Sequence, residues 1–226
     1  MSVKFDHNII VKFSDIAIQG KTQVPSPLET PSTYNNDTVV FGLFDGQLDI
    51  IVRLACLHAK ALEDRAAACA DSVQEFNAVN EWNPPNDEVP ADAPFTSGEI
   101  ACLYLLYKFA FLVWAACIAI HDAAGDEEKS ALNHVNVQGL IAEALPLLDE
   151  ELQEDLYPYL SIPLFVLGSA CVDPEGQSKI KDVSSNILEG FKADIKEYAG
   201  PMFDMVNESW ERHNENVEDS WDWRRY

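Results

Sequence analysis

The chain is 226 residues long, 47% of them hydrophobic, and sets 38 acidic side chains against 15 basic ones for a formal charge of −23. That length suits one domain with a large core, while a field so negative repels the phosphate backbone, so the chain by itself is not expected to bind DNA. Five cysteines without a single C-x-x-C spacing argue against a structural zinc site. Their odd number, with no signal peptide, points to a reducing compartment and away from secretion.

Leucine, alanine and isoleucine recur at helical spacing and few stretches alternate, so the expected class is all-α: a bundle of about six or seven helices with a short extended N-terminal segment. Residues 1–38 form an accessory segment. Val3, Phe5, Ile9, Val11 and Phe13 alternate as one short strand would, and the stretch from Gln23 to Ser32 is a proline-rich linker. The helical domain is expected over residues 39–226. Its first helix is predicted from near Asp45 through Ala70 or beyond, with Leu48, Ile51, Leu54, Ala55, Leu62 and Val73 turned inward. A proline-broken loop from Asn83 to Pro94 then separates two helices expected to pack antiparallel.

Thr96-Ser97-Gly98-Glu99 is a capping box, which starts a long apolar helix ending near His121-Asp122. This helix is long enough to span a bilayer, but Lys108 sits near its middle and no basic flank orients it. A lysine there costs roughly 2.5 to 3.5 kcal/mol on insertion scales, so the reading is a buried core helix and no membrane. A further helix is predicted from about Asn133 to Leu148, carrying Val137, Ile141, Leu145 and Leu148 on one face. The next begins near Pro158 and runs to about Cys171, with Pro163 bending it or marking its first turn. Asp173 caps a helix with Pro174 at its first position and Gly190 near its end. The last helix spans roughly Phe191 to Asn214, kinked or divided at Gly200-Pro201.

Signs of catalysis are weak. No glycine cluster of a phosphate-binding type is present. His58 with His121-Asp122 suggests a metal-dependent phosphohydrolase, yet His58, His121 and His134 follow no ligand spacing, so no metal, no cofactor and no catalytic residue is assigned. Gly168-Ser169 and Ser184-Ser185 lack the G-x-S-x-G elbow. Tyr104, Tyr107, Phe109, Phe111 and Trp114 share the long apolar helix, where an aromatic-lined pocket is conceivable but plain core is the preferred reading. Four of the five cysteines, Cys56, Cys69, Cys102, Cys117 and Cys171, lie in apolar helical patterns as small buried hydrophobes. The tail from Trp221 to Tyr226 is read as a structural closure, its tryptophans packing back on the helices, in preference to a docking peptide.

The run from Ser161 to Cys171 (S-I-P-L-F-V-L-G-S-A-C), the Asp173-Pro174 helix start, Trp210-Glu211-Arg212 and Trp221-Asp222-Trp223-Arg224 come in an order that resembles the C-terminal end of the fungal-specific transcription factor domain. Upstream, Phe41 to Leu48 followed by Ile50 to Ala55 is similar to that family's entry into a long helix, so the likeness covers about residues 39 to 226. The resemblance implies a transcription-regulator module acting in regulation, dimerisation or ligand sensing, in the nucleus or alternatively the cytoplasm, with a protein partner, a second copy or an apolar small molecule as its partner. Family members usually begin with a cysteine-rich, DNA-binding zinc cluster, which would lie ahead of this chain. The rival reading is the same scaffold used as a small-molecule-binding protein or enzyme of fungal secondary metabolism, since a fold does not fix a function.

Overall fold

The computed structural model describes residues 47–61, 64–82, 96–120, 135–149, 154–190, 193–217 and 220–222. Seven α-helices and two 3-10 segments, with no strand, make up the described residues: α1 (Gln47–Lys60), α2 (Arg65–Glu81), α3 (Ser97–Ile120), α4 (Val137–Ala144), α5 (Ser161–Ala170), α6 (Pro174–Gly190) and α7 (Ala193–Asn214). The 3-10 segments are Leu145–Leu148 and Glu154–Leu160. The expected N-terminal strand and the proline-rich linker lie outside the described residues.

The single helix expected through Ala70 is in fact two, α1 and α2. Asp64 makes the break: its carboxylate accepts from the Ala67 amide at 3.1 Å and starts a new helix, as N-cap aspartates do. The chain then turns back. Arg53 on α1 grips Glu75 on α2 through Nε and Nη2 at 2.9–3.0 Å, and Lys60 reaches Asp71 at 2.8 Å, so the two helices run antiparallel. The inward face of α1 is Gln47, Ile50, Leu54 and His58, while Ile51 and Ala55 of the predicted stripe are half-buried.

Around α3 the rest is assembled. Thr96 and Glu99 form the capping box that the spacing predicts, with Thr96 N–H donating to Glu99 Oε2 at 2.7 Å and Glu99 N–H donating to Thr96 Oγ1 at 3.2 Å. Fifteen of its 24 residues are buried, by α1 and α2, by α4 and by α5. Burying a large apolar side chain stabilises by roughly 1.5–3 kcal/mol, so this one helix supplies much of the core. By length and composition it could cross a membrane, yet 78% of its most apolar window is enclosed by the protein. Lys108 is turned toward α2, where its Nζ donates to the Trp82 carbonyl at 2.7 Å and places a cation at the helix C-terminus, the end that the helix dipole makes negative. Ser72 donates to Ala115 O at 2.7 Å and the Cys69 thiol to Ala119 O at 3.2 Å, so α2 and α3 are antiparallel as expected.

The helix predicted from Asn133 to Leu148 is shorter than expected. Asn136 caps it, its Oδ1 accepting from Gly139 N–H at 3.0 Å, and it tightens into a 3-10 turn at Leu145, because Pro146 has no N–H to continue the α-helical ladder. Pro163 lies in the first turn of α5. Asp173 Oδ2 accepts from Gly176 N–H at 2.8 Å, which starts α6 with Pro174 leading, and the helix ends at Gly190. Of the kink or division expected at Gly200-Pro201, the division does not occur; α7 runs as one helix through Pro201. A residue before proline resists the α conformation partly through its Cβ, and Gly200 has none.

Candidate functional site

Two features gather side chains from distant parts of the chain. The first begins at the end of α7. Asn216 adopts a left-handed conformation (φ 58°), its N–H donates to His213 O and that of Val217 to Arg212 O, both at 2.9 Å. This Schellman turn satisfies the last carbonyls of α7 and sends the chain back across the body. Asn is among the few residues besides glycine that tolerate the left-handed region. The returning segment delivers Trp221 and Asp222 to His58 on α1.

His58 and Asp222 are both 1% exposed. The Trp114 indole N–H donates to His58 Nδ1 at 3.2 Å, and His58 Nε2 stands 3.2 Å from Asp222 Oδ1, off the line of a regular hydrogen bond. An indole nitrogen only donates, so Nδ1 must accept and the ring proton resides on Nε2, facing the carboxylate. Trp221 stacks on the imidazole (5.2 Å between centroids, 15° between planes) and Trp114 meets it edge-on at 6.0 Å. The result is a latch between the end of the chain and its first described helix. Sealed from solvent, it has no room for a substrate. The tail is therefore a structural closure where it is described; Trp223 lies outside the described residues.

The second feature is a cleft of about 280 Å³ at the C-terminal end of α3. Cys117 and Ile120 of α3, Val137 and Gln138 of α4, Ser169 and Ala170 of α5, Cys171 and Val172 of the following turn, Ser209, Trp210 and His213 of α7, and Val217, Ser220 and Trp221 beyond it line the cleft. Gln138 braces the floor, its amide donating to Ala170 O at 2.8 Å and its Oε1 accepting from Val172 N–H at 3.1 Å. Trp210 Nε1–H donates to Gly168 O at 2.8 Å and holds α7 against α5. Burial pushes the Cys117 thiol up to about 12. Burial likewise raises Cys171 to about 11, against a smaller downward pull from its hydrogen bond to the Asp173 backbone, so both line the cleft as neutral thiols and not as thiolate nucleophiles.

Among the described residues, those singled out in the sequence do not converge. His121, Asp122 and His134 lie outside the described residues, and His58 pairs with Asp222, which no spacing had linked to it. No group of three or more His, Cys, Asp and Glu side chains gathers among the described residues. Ser169 and Ser184 are buried and donate to carbonyls of their own helices, Phe165 O and Ile180 O, both at 2.7 Å, while Ser185 is exposed. Tyr104, Tyr107, Phe111 and Trp114 are buried and Phe109 half-buried in the core, and none of them lines the cleft. Tyr107 donates to Tyr159 O at 2.9 Å, and burial raises its hydroxyl well above its usual value. Of the cysteines, Cys102, Cys117 and Cys171 are buried, Cys69 half-buried and Cys56 exposed.

The described residues thus form an all-helical body with a buried latch at one end and a cleft beside it. The model of the fungal specific transcription factor domain matches residues 15–226, nearly the whole chain, and the protein belongs to that family. Membership gives it a regulatory role in transcription. No curated protein and no solved structure matches the chain.

Proposed function

We propose that this chain is the ligand-sensing regulatory domain of a nuclear transcription regulator, that it makes no DNA contact of its own, and that it passes its signal through contact with a protein partner or a second copy. The cleft beside the C-terminal tail carries this reading. Its wall includes Trp221, which also stacks on the latch, so an occupant would bear directly on the segment that closes the fold. The charge of −23 supports the absence of a DNA contact, since each phosphate met would add repulsion. Fused to an unrelated DNA-binding head in a fungal strain, the chain is expected to change expression of a reporter gene, while the isolated chain leaves duplex DNA unshifted at physiological salt. A fusion that behaves like the head alone overturns the regulatory reading, and salt-sensitive duplex binding by the isolated chain overturns the second part. The same cleft also favours the rival, a small-molecule-binding protein outside transcription, which the silent fusion would select.

A further inference from the structure

We propose that the cleft at the end of α3 takes an uncharged, flat, apolar molecule bearing one hydrogen-bond donor, and that the Ser169 hydroxyl oxygen receives that donor. The assignment rests on the sensing reading above and specifies its ligand class. Size is the first argument. Pockets for drug-sized ligands run from roughly 300 to 1,000 Å³, so a cleft of about 280 Å³ suits a ring system smaller than these.

Charge is the second argument. The lining contains no Asp, Glu, Lys or Arg, its one imidazole, His213, is exposed, and a charged ligand leaving water for the buried walls would lose hydration with nothing there to replace it. An anion would also face the overall field of the chain. Two indoles, Trp210 and Trp221, offer faces and edges on which a flat ring packs favourably. Polarity is the third argument. Ser169 commits its hydrogen to Phe165 O at 2.7 Å and Ser209 its own to Met205 O at 3.0 Å, so toward the cleft both oxygens act as acceptors, with Ser169 the more exposed at 4% against 1%. Gln138 engages both ends of its amide on the backbone, and the two protonated thiols offer a ligand only weak donors. A ligand with a single N–H or O–H therefore fits better than one offering only acceptors.

Calorimetric titration of the full chain with indole, N-methylindole and indoleacetate tests the assignment. Indole is expected to bind saturably with Kd below about 1 mM, and N-methylindole, which lacks the donor, about three- to tenfold more weakly, the range one net hydrogen bond supplies. Indoleacetate should be the weakest. Ser169→Ala should bring indole and N-methylindole to equal affinity. Val172→Trp, at a position that is exposed and lines the cleft, should weaken both by filling the space without disturbing the core. No saturable binding of indole, an anion that binds most tightly, or affinities unmoved by both substitutions would overturn the proposal. A reporter fusion that is active while indole fails to bind removes this ligand class and leaves the regulatory reading standing, so the two failures are distinguishable.

Discussion

At the scale of single residues, the chain closes on a pair that no motif announces. His58 sits among Leu57, Ala59 and Lys60 on an ordinary amphipathic helix, and Asp222 is one of 38 acids. Once both are buried, the imidazole N–H and the carboxylate depend on each other, because an unpaired polar group away from water loses its hydration without return. Asp222→Ala is expected to cost about 2–4 kcal/mol, read as a lower urea midpoint, and Asp222→Asn, which keeps an acceptor oxygen, less than that. Parent-like midpoints for both would show that the latch does not hold the tail.

Cys117 makes a second residue-scale prediction. Unfolded, its thiol loses its proton near 9; folded, burial delays this to about 12. Between those values the folded state holds a proton that the unfolded state has released. Its contribution is thus complete below about pH 9 and declines as pH rises, by up to about 1.4 kcal/mol per unit. Cys117→Ala should flatten the fall in urea midpoint from about pH 9 upward toward pH 12, and an unchanged slope would refute the assignment.

Between elements, α5 approaches α7 and α6 closely at Gly168. A Cβ at Gly168 would stand 2.8 Å from Val206 Cγ1 and 3.3 Å from Ile180 Cγ2, so glycine there is required by contact and not by helix preference. Gly168→Ala gains up to about 1 kcal/mol of helix propensity but overpacks the interface, for a net loss of about 1–2 kcal/mol in thermal melts. Adding Val206→Ala should recover part of it, and a melting point raised by the single change would show that the helices have room. Element starts were largely legible: Thr96-Glu99 and Asp173-Pro174 use side chains that cap their own helices, so the signal is local. The division at Asp64 and the tightening at Pro146 were local signals too, but apolar periodicity continuing across both concealed them.

Over the whole molecule, a formal charge of −23 makes the compact state repel itself. Raising sodium chloride from about 0.01 M to about 1 M shortens the screening length from about 30 Å to about 3 Å, so the thermal midpoint should rise with salt. A midpoint that falls over that range would mean that attractive pairs such as Arg53–Glu75 and Lys60–Asp71 outweigh the repulsion.

The sequence by itself determined the all-α class, the burial of α3, the main helix caps and, through the ordered residues from Ser161 to Arg224, the family; all of these depend on periodicity, on neighbours a few positions apart or on residue order along the chain. Tertiary structure alone decided that His58 meets Asp222, 164 positions away by their numbering, and that a cleft opens at the end of α3. A contact of that kind leaves no period or spacing in the chain. It exists only once a left-handed residue at Asn216 has turned the tail back toward α1.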